Sequence, residues 1–427
     1  MKGLRKQHAS FFLLKILTIS LLVSLNTKAQ SYSQIIFDEN QSQNFGSANL
    51  ITLHKALYLF EDKHLRDTLF KENNFIKKTG GFGYRMAKLL LLDAQIDCFT
   101  ALLQHEVFGH GARYREYGYK GNSFNLNLYF PFGDGSGFAQ RGVLRPGYKS
   151  PTYQENISIA IGGVDAEMLL ANNITNQMLL DDTLHYRQGL LYLISQNNGL
   201  LYLWSTRLEN PAKIKSNNDM VAYINDMNFF YAKPNTEKYN LNTLSNQSLI
   251  SFANPIQIYS ALSILYTYGI KGQKQLSKIP MIKLGNVRYL PAFNYSLTPF
   301  GSQYHFINYV RFKSMLLNAD FMLGDNAFNN FYGISLKGFN LINKKRITLN
   351  FHLDIWNQPN LELDNYSKPT GANQTGGACK VDIMLRPFSK QNKLGLFVQT
   401  GYKTKGYITG EALAESFILR YGISLHL

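Results

Sequence analysis

The feature that most constrains this chain is a change of hydrophobic period near residue 285. Before it, apolar residues fall in helix-like groups; after it, they alternate by two to the last residue. In RITLNFHLDIW, Ile347, Leu349, Phe351, Leu353 and Ile355 share one face, and Thr348, Asn350, His352 and Asp354 the other. In FILRYGISLHL, Phe417, Leu419, Tyr421, Ile423, Leu425 and Leu427 oppose Arg420, Ser424 and His426. Noisier runs of the same kind occupy residues 287–297, 303–313, 315–323, 330–340, 378–387 and 394–403, which makes eight predicted strands.

The preceding half reads as a compact, mainly α-helical domain over residues 84–275. Its clearest segments are YRMAKLLLLDAQIDCFTALLQHEVFGH, ISIAIGGVDAEMLLANNI, HYRQGLLYLISQNNGLLYLWSTRL and PIQIYSALSILYTYGI. None reads as a clean transmembrane helix, because Lys88, Asp93 and Asp97 interrupt the first, and Gln196, Asn197 and Asn198 the third. Between the first two, SFNLNLYF alternates and is followed by the glycine-rich GDGSG, which predicts a small β-hairpin beside the first helix. That loop is no phosphate cradle, since no Lys-Ser or Lys-Thr pair follows it.

The N-terminus carries Lys2, Arg5 and Lys6, then FFLLKILTISLLVSL, then the small residues Thr27 and Ala29. This is the pattern of a secretory signal peptide over residues 1–29, with a retained anchor helix as the alternative, and residues 30–83 form an extension. An exported chain with only two cysteines, Cys98 and Cys379, is not held by a disulfide framework. Cys98 lies in an apolar helix and reads as an inert core thiol. The formal charge of +16 is dispersed among aromatic and polar residues, which excludes a nucleic-acid partner and suits a negatively charged membrane or envelope surface.

Connections between the predicted strands alternate between short ones, near Lys313, near Asn343 and Lys344 and near Lys390 and Gln391, and longer ones, including residues 357–377 and 404–415. Residues 285–427 therefore resemble a small eight-stranded outer-membrane β-barrel, whose strands alternate apolar outward and polar inward. The resemblance implies an outer-membrane location, with eight strands leaving little lumen and the helical domain on the periplasmic side. A soluble antiparallel barrel or sandwich is the alternative with the same period.

Chemistry concentrates in LLQHEVFGHGARY, where His105, Glu106 and His110 form H-E-x-x-x-H. Two imidazoles from one helix with an adjacent carboxylate are what a hydrolytic zinc site needs: two neutral nitrogen ligands, and a base beside the attacking water. On a regular helix, positions five apart diverge by about 140°, whereas positions four apart differ by about 40°. The spacing therefore predicts a one-residue π-bulge, which Gly109 makes easier. The motif resembles that of dipeptidyl peptidase III, a zinc exopeptidase family with H-E-L-L-G-H, matched here by residues 105 to 110. The resemblance covers this helix and implies zinc on His105 and His110, with Glu106 as general base.

It also implies a third ligand from a later helix. In AIGGVDAEMLLAN, Glu167 shares a helical face with Ala160, Gly163, Val164 and Ala171, so its carboxylate lies in a small-residue stripe that admits close helix approach; Asp165 is the competitor. His54, His64 and His185 read as surface histidines, and His305, His352 and His426 as lumen-facing strand residues. Arg113, Tyr114 and Tyr117 are candidates for oxyanion contacts or for structure. The resulting expectation is an outer-membrane-anchored zinc metallopeptidase acting on peptides or envelope proteins. Its rival is a non-catalytic barrel protein for envelope assembly or transport, with a partner-binding helical domain.

Overall fold

The computed structural model describes residues 33–64, 75–181, 184–210, 213–214, 218–231, 238–363, 371–387 and 394–425. The expected signal peptide, His426 and Leu427 lie outside the described residues. The helices are α1 (Gln43–His64), α2 (Phe75–Lys88), α3 (Ala94–His105), α4 (Gly111–Glu116), α5 (Tyr153–Ala160), α6 (Gly162–Leu180), α7 (Tyr186–Leu208), α8 (Asp219–Tyr231), α9 (Leu241–Ser248) and α10 (Pro255–Ser263). Three π-helical segments continue this chain of helices, Leu89–Asp93, Glu106–His110 and Ile264–Ile270. Their ends carry the expected signals. Thr152 and Glu155 form a capping box before α5, and Asn254 caps α10 with Pro255 in its first turn.

Four short strands lie among the helices: β2 (Tyr119–Lys120), β3 (Ser123–Leu126), β4 (Gly137–Gln140) and β5 (Val143–Leu144). β3 pairs with β4, which is the expected hairpin. A second small pair joins β6 (Leu184–His185) to β7 (Gln275–Leu276).

The large sheet contains β1 (Ser33–Phe37), β8 (Ile282–Leu284), β9 (Val287–Thr298), β10 (Gly301–Phe312), β11 (Met315–Asp325), β12 (Asn330–Lys344), β13 (Ile347–Pro359), β14 (Asn373–Leu385), β15 (Leu394–Lys403) and β16 (Ser416–Leu425). It is an antiparallel meander in the order β1-β16-β15-β14-β13-β12-β11-β10-β9-β8, so ten strands replace the expected eight. The eight expected segments are β9 to β16. The additions are short: β8 extends the first hairpin, and β1, from the N-terminal extension, pairs with β16 from Ser33 against Leu425 to Phe37 against Tyr421. Five and three residues give too little alternation to register as strands in a sequence. β1 and β8 are the two edges of this ladder, and no closed barrel is formed among the described residues.

The two faces of the sheet have opposite chemistry. Register puts Leu353 opposite Cys379, Val398 opposite Tyr421 and Phe321 opposite Ile334 on one face, which is apolar and exposed at Phe321, Ile334, Ile355, Val398, Leu419 and Tyr421. The other face carries Asn318, Ser335, Asn350, Asp354, Lys380, Asp382 and Arg420, and these are buried. A sheet in water buries its apolar face. Here the arrangement is reversed.

What covers the polar face is helical. α6 meets it near β9 to β11: Leu170, Ile174 and Met178 pack with Leu290, Ile307 and Leu316, and Arg311 donates to the carbonyl of Leu179 at 2.7 Å. α1 meets it near the other edge, where Phe45 and Ala48 pack on Ile36, Met384 and Phe397. Between α1, α6 and the sheet lies a cavity of about 150 Å³, bordered by Asn176, His352, Asp382 and Arg420. The helices and strands thus share hydrophobic clusters. A separate helical domain beside the sheet was the expectation; periodicity reports each element's own face, not the surface that face meets.

The connections differ between the two ends of the sheet. At one end lie residues 285–286, 313–314 and 345–346; at the other lie 299–300, 326–329 and 404–415. The second end holds the longest connections, and its 404–415 segment reaches the helices: Tyr407 donates to Asp165 at 2.7 Å, and the amide of Leu413 donates to Glu116 at 2.8 Å.

Candidate metal centre

The H-E-x-x-x-H residues sit where the extra residue required them to be. Glu106–His110 is a π-helical turn between α3 and α4, and it brings the two imidazoles together, with His105 Nε2 and His110 Nε2 3.2 Å apart. Close helix packing builds the rest. A Cβ on Gly109 would stand 2.6 Å from Gly163 Cα, and one on Gly163 would stand 2.2 Å from His105 Nε2. Only glycine at both positions lets α6 approach the bulge this closely. The small-residue stripe read beside Glu167 is this contact.

The carboxylate facing both Nε2 atoms belongs to Asp219, not to Glu167. Asp219 Oδ2 lies 3.2 Å from His110 Nε2 and 3.4 Å from His105 Nε2. The three donor atoms form a cluster able to hold a metal ion. Glu167 stands behind: its Oε1 lies 3.3 Å from His105 Nδ1 and accepts from Asn198 of α7. The remaining nitrogen of His110, Nδ1, faces the carbonyl of Ile159 at 2.7 Å. Asp165 points elsewhere, pairing with Arg113 and Tyr407.

Asp219 was not legible as a partner because it lies 109 residues beyond His110 and opens a helix the periodicity did not separate. A local signal does exist. Asn218 accepts from the amides of Met220 and Val221 as an N-cap, which places Asp219 in the first turn of α8, where the helix dipole favours a carboxylate. Its amide also donates to Tyr202 of α7 at 3.0 Å, fixing the start of α8 beside the imidazoles.

The hydrogen-bond partners assign the tautomers. A carbonyl oxygen accepts only, so His110 Nδ1 carries a proton, and Glu167 assigns His105 Nδ1 likewise. With both imidazoles neutral, each directs the lone pair of Nε2 at the other and at Asp219. Such donors within 3.4 Å of one another are held together either by a proton on an imidazole Nε2 or by a metal ion among the three. Ligands about 2.0–2.1 Å from a tetrahedral zinc ion stand about 3.3 Å apart, which matches this spacing. The charges already respond to one another: against burial, Glu167 and Asp219 hold His105 well above the ordinary imidazole value, Asp219 raises His110, and the imidazoles hold Asp219 well below the usual carboxylate range.

Glu106 lies next to this cluster, and burial pushes it above the usual carboxylate range despite both imidazoles. β4 closes over it, since a Cβ on Gly137 would stand 2.2 Å from Glu106 Oε1. Asp219 keeps its side chain 25% exposed, which leaves the cluster open to solvent on that side.

The other candidates take structural places. Arg113 pairs with Glu116 and Asp165, Tyr114 donates to the carbonyl of Ala139, and the Tyr117 hydroxyl bonds that of Ser158. His64 is exposed as expected, but His54 and His185 are buried. His54 bonds Asp97 at 2.9 Å, and His185 caps α7 and stacks on Tyr58. Thr52 and Lys55 are buried beside His54, and Arg187 and Gln188 beside His185. His305 and His352 lie on the polar face and pair with Asp320 and Asp382. No protein-family model matches the chain, and neither does any curated protein or solved structure.

Proposed function

We propose that this protein is a zinc-dependent metallopeptidase embedded in a bacterial outer membrane. The observation that carries the reading is the convergence of His105 Nε2, His110 Nε2 and Asp219 Oδ2, with a carboxylate, Glu106, beside them. The nitrogen and oxygen donor set fits zinc, and both imidazoles have the oriented Nδ1 partners that metal-binding histidines keep. When bound, the ion supplies Lewis-acid polarisation of a carbonyl and acidifies water. Glu106 takes the proton from the attacking water and delivers it to the leaving amine. Asp219, at the exposed side, holds the opening through which a peptide reaches the imidazoles. The same two-histidine, one-carboxylate set also suits ferrous iron; the adjacent Glu106 favours hydrolysis.

The apolar outer face and polar inner face of the sheet support the membrane reading, since this polarity is that of an outer-membrane barrel wall. The connections support an orientation opposite to the expected one. The motif's neighbours Arg113, Glu116 and Asp165 contact residues 404–415, at the end with the longest connections. In such barrels short turns are periplasmic and long loops external, so the metal centre faces outward rather than into the periplasm.

The test is elemental analysis of the purified mature protein beside His110→Ala and Glu106→Gln. One zinc per chain, lost in the first and kept in the second, with peptide hydrolysis abolished in both, is the expected result. A wild type without metal after gentle purification sinks the peptidase reading, and activity surviving Glu106→Gln makes the metal a structural clamp.

A further inference from the structure

Three helical stretches have the same reversed polarity as the sheet. On α1, Leu53, Ala56, Leu57 and Phe60 are exposed at i, i+3, i+4 and i+7, whereas His54, Lys55 and Tyr58 are buried. From α2 into α3, Phe82, Tyr84, Leu90, Leu91 and Leu92 are exposed, and Arg85, Asp93, Gln95 and Asp97 are buried. Along α10 and the π segment after it, Ile258, Leu262, Leu265, Tyr266 and Ile270 are exposed, and Asn254, Gln257 and Ser260 are buried. An amphipathic helix in water presents its charged face outward. Behind the exposed leucines of the α2–α3 stretch the charges turn inward, where Arg187 pairs with Asp93 and Asp97 and Lys88 pairs with Asp93; the α10 stretch carries no charge.

Their place in the fold supplies a second observation. α1 is bonded to the edge strand β1, with Thr52 Oγ1 accepting from the amide of Gln34 and Asn49 Oδ1 from that of Ile36. α10 packs against β9 near the other edge, and α2 meets the π segment that continues α10. The stretches therefore lie between the two open edges of the sheet, continuous with its apolar face. No single helix among the described residues is long and apolar enough to cross a membrane, but Leu241–Ala253 and Pro255–Ile270, bent by 64°, pass that test together. A closed strand ladder removes the exposed edges that a bilayer does not tolerate.

We propose that these three helical stretches lie against lipid acyl chains and complete the membrane-facing wall between β1 and β8, so that the bilayer contacts a mixed wall of strands and helices. This rests on the membrane reading above, and it is independent of zinc. The occupant of the apolar helical surface is lipid: behind the leucines lies a paired charge network, not a groove shaped for a partner chain, and the surface is continuous with the sheet's outer face.

The test uses the full mature chain carrying Cys98→Ser and Cys379→Ser, with single cysteines from Leu57→Cys, Leu91→Cys and Leu262→Cys labelled with an environment-sensitive fluorophore. Leu396→Cys on the outer face of β15 is the sheet control, and Lys149→Cys on an exposed loop is the aqueous control. The proteins are reconstituted in phosphatidylcholine vesicles with nitroxide-labelled chains, and circular dichroism confirms that each retains the parent's fold. Loss of fluorescence to the labelled chains at all three helical positions, as strong as at residue 396 and with shielding from aqueous iodide, is the expected result. Iodide quenching at the helices with lipid quenching at residue 396 overturns the proposal while leaving the barrel reading intact. Iodide quenching at residue 396 as well overturns both.

Discussion

The Cα of Gly163 lies so close beneath His105 that a Cβ there would stand 2.2 Å from Nε2. The imidazole cannot yield freely, because Glu167 holds its other nitrogen. Gly163→Ala is therefore expected to retain the fold, since alanine favours the helix, and to weaken zinc binding by about ten-fold or more through displacement of His105. A competition titration with a chromophoric chelator measures it, and unchanged affinity would show that His105 is not confined by α6.

Asp219 takes the place beside both imidazoles that the sequence suggested for Glu167, which instead stands behind His105, and their variants separate the roles. Asp219→Asn is expected to lose stoichiometric zinc at micromolar metal. Glu167→Gln keeps one zinc at saturation but binds about 10–100-fold more weakly, the usual effect of removing an imidazole's orienting partner. The reverse order of losses would return Glu167 to the metal.

Gly137 faces Glu106, the proposed base, rather than the imidazoles. Gly137→Ala places a methyl group against Glu106 Oε1, so zinc content is expected to stay at the wild-type level while kcat falls by about 100-fold, the scale of an ångström misplacement of a reacting group. Elemental analysis and kinetics on one preparation decide it. Loss of zinc instead would mean that β4 supports the imidazoles.

Glu411 is the anion of a buried pairing with Lys380 at 2.9 Å and Arg420 at 2.8 Å. Burial alone would raise its carboxyl, but Arg420 and Lys380 hold it far below the usual range. A depressed carboxyl contributes stability that is fully present above the unfolded value, about 4.3, and is lost as pH falls through the folded value. Denaturant midpoints are thus expected to be flat near neutrality and to fall below about pH 4. Glu411→Gln is expected to cost about 3–5 kcal/mol at neutral pH, because it leaves two cations buried together. A neutral-pH cost below 1 kcal/mol would show that water relieves those cations.

Leu396 tests the environment of the sheet's outer face. In a bilayer Leu396→Arg is expected to cost about 2–4 kcal/mol, whereas an exposed leucine in water changes stability by about 0.5 kcal/mol or less on the same substitution. Urea unfolding from lipid vesicles reads the difference directly.

The sequence by itself determined the strands β9 to β16, because a period of two over ten or more residues has no other regular backbone that keeps its apolar set on one face. It also determined the bulge at Glu106–His110, since paired imidazoles five positions apart do not share one face of a regular α-helix. Alternation alone does not say which face meets water; the barrel resemblance implied the reversed polarity, and the tertiary structure showed what covers the polar side, with Arg420 buried, Leu419 exposed and α1 and α6 against that face. Only the tertiary structure brought Asp219 to His110 and put Glu167 behind His105. A helix pattern fixes the side of its own axis on which a carboxylate lies. Which residue that side meets depends on helix packing, and here that packing was decided by the glycine contact between residues 109 and 163.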